Sequence, residues 1–212
     1  MWIGLVGSEM CIRDRVKPTL EILAGIPSVV YGFFAFIYIG PLVVEFGEYA
    51  FAQGWISEPP NILNPINGAI VVAIMILPLI ASMSEDALRA VPNELREGSL
   101  ALGATRIETT FRVMLQASLS GIIASIILAL SRAVGETMAV TLAVGTVAVY
   151  TSNMFLPAQT MTAYIAQRVG GDLPFGEIGY LTIFAVGLYL FVITLCLNLL
   201  GNKVLSTYRE AY

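Results

Sequence analysis

The chain has 212 residues, of which 57% are hydrophobic and only 12% are charged. Its mean hydropathy is +0.81, and this composition excludes an ordinary soluble domain. The sequence contains no histidine, which excludes Ser-His-Asp triads, histidine-based acid–base catalysis and histidine metal sites. The two cysteines, Cys11 and Cys196, are far apart and match no metal-ligand spacing. We therefore expect neither a metal centre nor a disulfide framework.

Long uncharged stretches predict four membrane-spanning helices. About 20 apolar residues suffice to cross the hydrocarbon core of a bilayer, and four segments of the sequence reach this length. The third is interrupted only around Arg132 and Glu136, and it is interpreted as a single helix. The predicted fold class is an all-α polytopic membrane helix bundle with helices near residues 20–44, 66–84, 117–145 and 179–201.

Lysine and arginine are concentrated in alternate connecting segments. They lie before the first predicted helix, in the 85–116 loop and after the fourth helix, whereas the other two loops contain only Arg168. Positively charged short loops stay on the cytoplasmic side of a membrane. We therefore predict that the N-terminus, the C-terminus and the 85–116 loop are cytoplasmic.

The first 15 residues differ in character from the rest. The segment reads MWIGLVGSEMCIRDR, which is neither a spanning helix nor a signal peptide. The part from Leu5 to Arg15 resembles translated sequencing-adapter sequence, and residues 1–15 are interpreted as non-native, the alternative being a genuine cytoplasmic arm. The native chain is then expected to begin earlier, with residues 16–212 forming its transmembrane domain.

The 85–116 loop contains start and stop signals for two short helices. Pro92 suits a helix start and Gly103 suits a C-terminal cap, with an amphipathic pattern between them. The sequence Thr105-Arg106-Ile107-Glu108 matches a capping box, so a second helix is predicted to start at Arg106. Composition alone favours a solvated connector.

Arg132 and Glu136 form the most unusual pair in the sequence. On a continuous helix they are four residues apart and share one face, and Arg132 falls near the middle of the membrane. Two interpretations remain open. The pair is either a structural ion pair, or Arg132 binds an anion on a transport path while Glu136 moderates its grip. Small residues share the same helical stripe: Ser125, Ala129, Ala139 and Ala143. The other side of the predicted helix is apolar and suited to lipid, with Ile127, Leu130, Val134 and Met138.

Two hydroxyl side chains are weaker candidates for the same path. Gly25 and Pro27 interrupt the first predicted helix and could turn Ser28 toward the path, although a plain helix start is the simpler explanation of the proline. Thr137 could donate its hydroxyl to an anion, or it could bond its own backbone.

The loop also carries a spaced motif. Glu97-Gly98-Ser99 is followed by Leu102-Gly103-Ala104 and then by Val113, Leu115 and Gln116. This spacing resembles the EAA loop of ABC-importer permeases, in which a short helix docks on a cytoplasmic ATPase. Gly98 and Gln116 depart from the alanine and the proline of that pattern. The resemblance implies that the ATPase-coupling residues are Glu97, Ser99, Leu102, Gly103 and Ala104.

The segment Ser131-Arg132-Ala133-Val134-Gly135-Glu136-Thr137-Met138-Ala139-Val140 resembles the signature of the PstC family, permease subunits of bacterial phosphate ABC importers. The stretches 24–32, 84–92 and 161–167 agree with that family. The resemblance implies the type I permease fold, with this chain keeping the last four of six transmembrane helices in a bacterial inner membrane. It further implies the substrate path Arg132, Glu136, Thr137 and Ser28.

The expected function is therefore that of a permease subunit of an ATP-driven phosphate importer, without catalytic residues or metal of its own. The resemblance implies these partners: a second homologous permease subunit, a dimer of ATP-binding subunits that holds ATP and Mg²⁺, and an extracytoplasmic phosphate-binding protein. Inorganic phosphate and membrane lipid are expected ligands, and nucleic acid is not. The alternatives are a permease for another oxyanion such as sulfate or molybdate, an ATP-independent anion channel or carrier, and a shortened chain without function.

Overall fold

The computed structural model describes residues 17–150, 152–171, 174 and 176–208, with side chains as far as Lys203. The predicted non-native segment 1–15 lies outside the described residues. Within the described part, regular structure is helical apart from one isolated antiparallel bridge between Thr146 and Gln159. The predicted all-α class is confirmed.

The first membrane-spanning segment begins later than the sequence predicts. Residues 17–24 form a helix, α1, and the backbone turns before α2 (Ser28–Phe34) starts with Pro27 at its N-cap. A π-helical segment, Ala35–Ile39, leads into α3 (Gly40–Ala52). Proline lacks the N–H that an α-helical ladder needs, which accounts for a widened turn just before Pro41. The apolar span is Ser28–Ala52, so the predicted helix 20–44 is wrong at both ends.

Two further helices are long and apolar enough to cross a membrane. Helix α4 (Pro65–Arg89) contains the predicted segment 66–84 and continues beyond it. Helix α10 (Met161–Val169) precedes α11 (Ile178–Tyr208), whose apolar span is Ile178–Lys203. No residue in the most apolar 18-residue window of α11 is buried.

The predicted pair of short helices in the 85–116 loop is confirmed. Helix α5 (Asn93–Ala101) follows Pro92 directly, and α6 (Arg106–Glu108) begins at the predicted residue. A π-helical segment, Thr109–Met114, and α7 (Leu115–Ala117) continue α6 toward the membrane. The axis then bends by 63° at the start of α8 (Leu119–Val134).

The predicted single helix over 117–145 is wrong. Helix α8 ends at Val134, and a separate seven-residue helix, α9 (Met138–Val144), begins after three connecting residues. Gly135 lies in this interruption, where its low helix propensity favours a break. The hydropathy of the segment carries no sign of the break, because apolar residues continue on both sides.

The chain divides into two compact units. The first combines the part up to Gly25 with Ile76–Ser131 and the part from Cys196. In it α4 and α8 are in close contact, since a Cβ atom added to Gly121 would lie 2.5 Å from the Ala87 Cβ. The hydroxyls of Ser84 and Ser125 are 3.0 Å apart.

Helix α11 is attached to α8 within this first unit. The Ser131 hydroxyl donates to Asn198 Oδ1 at 2.6 Å, and a Cβ added to Gly201 would lie 2.3 Å from Ile127 Cγ2. The side of α8 that contains Ile127, which the sequence assigns to lipid, therefore packs partly against protein.

The second unit comprises Ile26–Met75 and Arg132–Leu195, and the short helix α9 forms its core. Ala139 and Ala143 are completely buried. A Cβ added to Gly32 of α2 would lie 2.9 Å from the Ala139 Cα. At the other end of α9, a Cβ on Gly68 of α4 would lie 2.2 Å from a Val144 methyl carbon. Glycine thus permits both close approaches to α9.

Candidate functional site

The interruption between α8 and α9 places Glu136 at the start of α9. Its backbone N–H donates to the Ala133 carbonyl at 3.2 Å, and its Oε1 accepts a hydrogen bond from the Ala139 N–H at 3.2 Å. Its carbonyl accepts a hydrogen bond from the Thr162 hydroxyl of α10 at 2.8 Å. Three separate groups of Glu136 therefore stabilise the break, each by a different contact.

The predicted pairing of Arg132 with Glu136 is not observed. Arg132 lies in the last turn of α8 and is exposed, whereas Glu136 lies beyond the helix end and is half-buried. Among the described residues, no hydrogen bond or ion pair joins the two side chains. The interpretation of a structural ion pair is wrong for this conformation, because the break removes the shared helix face that the pairing requires.

The four small residues of the predicted stripe are all completely buried: Ser125, Ala129, Ala139 and Ala143. On the opposite side, Leu130 and Met138 are about half exposed. The break divides the stripe between two helices, with Ser125 and Ala129 on α8 and Ala139 and Ala143 on α9. Arg132 is on the small-residue side by sequence, but it lies in the last turn of α8 and is exposed.

The two hydroxyl candidates differ in their surroundings. The Thr137 hydroxyl donates to the Gly135 carbonyl at 3.3 Å, and Thr141 in turn donates to the Thr137 carbonyl at 2.6 Å. Ser28 is the first residue of α2 and is half-buried. No described hydrogen bond joins Ser28 or Thr137 to Arg132.

The sequence analysis missed a buried amide pair at the other end of α9. Asn64 and Asn67 have no exposed surface, and the Asn64 N–H donates to the Ala143 carbonyl at 3.2 Å. Asn67 Nδ2 lies 3.5 Å from the same carbonyl, and the Asn64 Oδ1 accepts from the Asn67 N–H at 2.8 Å. The N-x-x-N spacing at a helix start signals the local bond between Asn64 and Asn67, but it gives no sign of the contact with α9.

The predicted ATPase-coupling residues lie at the C-terminal end of α5 and just beyond it. The Gly103 N–H donates to the Leu100 carbonyl at 3.0 Å, and the Ala104 N–H donates to the Ser99 carbonyl at 3.2 Å. Gly103 has a φ of +89°. These bonds form a Schellman motif, which ends the helix at a residue in the left-handed region.

The same residues present a mixed surface. Leu102 is 91% exposed, an unusual position for a leucine, and Glu97 and Gly103 are exposed while Ala104 is half-buried. The Ser99 hydroxyl lies 3.0 Å from the buried Thr109 hydroxyl. Ser99 therefore fixes α5 to the segment that follows it, and Leu102 projects outward from the turn.

The predicted capping box at the start of α6 is present. The Thr105 hydroxyl accepts a hydrogen bond from the Glu108 N–H at 3.3 Å, and Glu108 Oε2 accepts from the Thr105 N–H at 2.9 Å. The Thr105 backbone N–H, and with it the Thr105 hydroxyl, lowers the pKa of the Glu108 carboxyl below its usual value. The described residues contain no group of three or more His, Cys, Asp or Glu side chains suited to a metal ion.

Comparison with known proteins gives concordant results. Residues 3–206 match the family described as binding-protein-dependent transport system inner membrane component. The chain is 33% identical to the phosphate transport system permease protein PstC of Mesorhizobium japonicum, over 96% of this chain and 65% of that protein. It is 35% identical to the probable ABC transporter permease protein YqgH of Bacillus subtilis, over 93% of this chain and 60% of that protein.

Among solved structures, an inward-facing form of the MetNI methionine ABC transporter has the same fold. The TM-score is 0.66 at 19% identity, covering 96% of this chain and 78% of that chain. The chain spans about three fifths of the length of the curated relatives it matches. The family match also includes most of residues 1–15, whose interpretation as non-native stays a prediction.

The apolar spans and the family match agree on a multi-pass membrane protein. The family match covers nearly the whole chain, and the fold shared with a chain of the MetNI transporter covers 96% of it. The chain belongs to the family of inner membrane components of binding-protein-dependent transport systems.

Proposed function

We propose that this chain is a permease subunit of an ATP-driven phosphate importer in a bacterial inner membrane. Several relatives carry the name of phosphate transport permease PstC, and the sequence from Ser131 to Val140 resembles that family. The chain itself catalyses no reaction and holds no ATP or Mg²⁺. Its partners are a second permease subunit, a dimer of ATP-binding subunits and an extracytoplasmic phosphate-binding protein, with both of its own termini cytoplasmic.

The exposed guanidinium of Arg132, at the end of α8, is the observation that carries the substrate assignment. A permanent positive charge in a membrane-spanning helix is costly unless it faces water or a partner, and Arg132 has no ion-pair partner among the described residues. Guanidinium groups bind phosphate through paired hydrogen bonds. Arg132 binds the anion in this proposal, and Glu136 lowers the local positive potential so that the anion is released. Thr137 and Ser28 are secondary contacts.

Uptake of labelled phosphate tests this role. The chain is placed behind the N-terminal part of the M. japonicum relative, with the companion subunits of that importer, in cells that lack their own. We expect Arg132→Gln to abolish uptake at equal membrane abundance, and Arg132→Lys, which keeps the charge, to retain part of it. Equal uptake by the parent and Arg132→Gln would remove Arg132 from the path. Transport of sulfate or molybdate in place of phosphate would favour another oxyanion.

Coupling to the ATPase is proposed for Glu97, Ser99, Leu102, Gly103 and Ala104. The exposed Leu102 beside a rigid helix end supports this proposal, because an apolar side chain on a fixed turn suits a protein groove. Gly103→Asp should stop ATP-driven uptake and weaken association with the ATPase. Gly54→Asp is the matched control, since Gly54 also has a positive φ, +75°, and open space around it. Continued phosphate flux in Gly103→Asp would favour the ATP-independent channel or carrier.

A further inference from the structure

Helix α9 is short, yet residues from distant parts of the sequence bind it at both ends, through the Thr162 hydroxyl, the Asn64 backbone N–H and the Asn67 side-chain amide. Its start is bound by Thr162 through the Glu136 carbonyl, and its end is bound by Asn64 and Asn67 through the Ala143 carbonyl. Thr162 is 26 residues from Glu136, and Asn67 is 76 residues from Ala143. These contacts do not arise from local helix capping, so the position of α9 depends on the tertiary structure.

The polar groups in these contacts are costly to bury. Asn64 and Asn67 have no exposed surface, and Thr162 is 7% exposed. Burying an amide or a hydroxyl is unfavourable unless a hydrogen bond compensates for the lost water. Asn67 Oδ1 is buried without a hydrogen-bond partner among the described residues. Apolar residues could pack against α9 without this cost, but apolar contacts are not directional. The polar contacts therefore serve to fix α9 in one position.

The residue fixed most directly is Glu136. Thr162 binds its carbonyl at 2.8 Å, and the Ala139 N–H binds its carboxylate at 3.2 Å. The close contact between Gly32 and Ala139 leaves α9 no room to shift toward α2. The backbone carbonyl and the carboxylate of Glu136 are therefore each fixed by a hydrogen bond.

We infer that Thr162 is a positioning residue for substrate binding, which sets the location of the Glu136 carboxylate by holding its backbone carbonyl, while Asn64 and Asn67 hold the far end of α9. This inference rests on the proposed function, because it assigns a purpose to the geometry of Glu136. Thr162 touches no substrate in this account. Its hydroxyl acts on the backbone atom that carries the functional side chain.

Thr162→Val removes the hydroxyl and nearly preserves the shape of the side chain, and Thr162→Ser is the matched control that keeps the hydroxyl. We expect Thr162→Val to lower the apparent KM for phosphate roughly three- to tenfold, the effect of one lost hydrogen bond, because a displaced Glu136 carboxylate no longer weakens binding of the anion. Maximal uptake at equal abundance should fall, because release is slower. Thr162→Ser should behave like the parent. Amide hydrogen exchange in the segment 136–146 should be faster in Thr162→Val than in Thr162→Ser.

A double-mutant cycle with Glu136→Gln separates positioning from general stability. If Thr162 acts through the Glu136 carboxylate, Thr162→Val should have no further effect on KM in the Glu136→Gln background. Additive effects of the two substitutions would overturn the inference, as would an unchanged KM in Thr162→Val despite faster exchange. An unchanged KM in Glu136→Gln alone would instead contradict the proposed role of Glu136. This single variant tests the proposed function without any substitution at Thr162.

Discussion

Two glycines of α5 and its cap have the same open surroundings and opposite backbone requirements. A Cβ added to Gly98 or to Gly103 would meet no atom within 4 Å. Gly98 lies inside α5, whereas Gly103 has a φ of +89°. We expect Gly98→Ala to stabilise α5 by about 1 kcal/mol, because alanine is the better helix former. Hydrogen exchange of the α5 amides in the assembled complex should slow accordingly.

Gly103→Ala is the matched substitution. It should destabilise the end of α5 by roughly 1–2 kcal/mol, because an L-residue is disfavoured in the left-handed region. Opposite shifts in exchange rate at the two positions would show that backbone conformation, and not space, decides the effect. Equal shifts in the same direction would contradict the Schellman geometry.

The capping box makes the stability of α6 depend on pH. The pKa of Glu108 is lower in the folded chain than when unfolded, because the Thr105 N–H and hydroxyl bind its ionised form. The stabilising contribution is therefore complete above the usual carboxyl pKa and is lost as the pH falls through the lowered value. Amide exchange at Thr105 and Glu108, compared after correction for the intrinsic pH dependence, should show protection falling in that acidic range.

Thr105→Ala should reduce this acid-dependent change, since the hydroxyl that binds the Glu108 side chain and N–H is lost. The larger contribution, from the Thr105 backbone N–H, should remain. Thr110→Ala is a control on the same segment, because the Thr110 hydroxyl bonds only the Arg106 carbonyl. An identical pH dependence in Thr105→Ala and the parent would contradict the contribution of the hydroxyl.

At the scale of elements, the crossing of α2 and α9 depends on Gly32. An added Cβ would lie 2.9 Å from the Ala139 Cα and 3.1 Å from its carbonyl oxygen. These are backbone atoms of a buried helix and cannot move aside cheaply. We expect Gly32→Ala to lower the free energy of unfolding by about 1–3 kcal/mol, measured as the thermal midpoint of the purified complex in detergent.

Gly187→Ala is the control for this prediction. Gly187 lies inside α11, and a Cβ there meets nothing within 4 Å. Its substitution should be neutral or slightly stabilising. A midpoint in Gly32→Ala equal to that of Gly187→Ala would show that α2 and α9 can separate without cost.

The elements that the sequence predicts correctly are those with local signals. Pro92 and Gly103 lie within a few residues of the ends of α5, and Thr105 bonds a residue three positions away. The break before α9 has a different cause. The freed backbone carbonyl of Glu136 is satisfied by Thr162, which is 26 residues distant, and a pattern search along one helix cannot detect such a partner.

The same distinction between local signals and distant partners applies to the candidate site. The sequence identifies Glu136 and Arg132 as unusual, because charges are rare in membrane helices. It places them on one helix face only by assuming a continuous helix. Asn64 and Asn67 escape detection, since asparagine at a helix start usually caps that helix alone. Here Asn67 also reaches a carbonyl of α9.

For the whole molecule, the distribution of charge predicts sidedness, which is part of the proposed function. In a background without Cys11 and Cys196, Ser57→Cys should react with a membrane-impermeant maleimide in intact cells. Gly98→Cys should react only after the membrane is permeabilised. Both positions are exposed in the chain, so their difference reports sidedness and not burial. Reaction of Gly98→Cys in intact cells would reverse the predicted orientation.

Helix α11 raises the question of what fixes its rotation about its own axis. Its apolar residues extend around the whole helix, and no position in its most apolar window is buried, so hydrophobicity alone favours no particular rotation about the helix axis. Three contacts with other helices restrict this rotation in the described part of the chain: Thr182 with the Tyr164 hydroxyl, Asn198 with Ser131, and Gly201 with Ile127. The exposed leucines and phenylalanines of α11 should therefore tolerate substitution by other apolar residues. Substitutions at Thr182, Asn198 and Gly201 should instead loosen the rotational position of the helix.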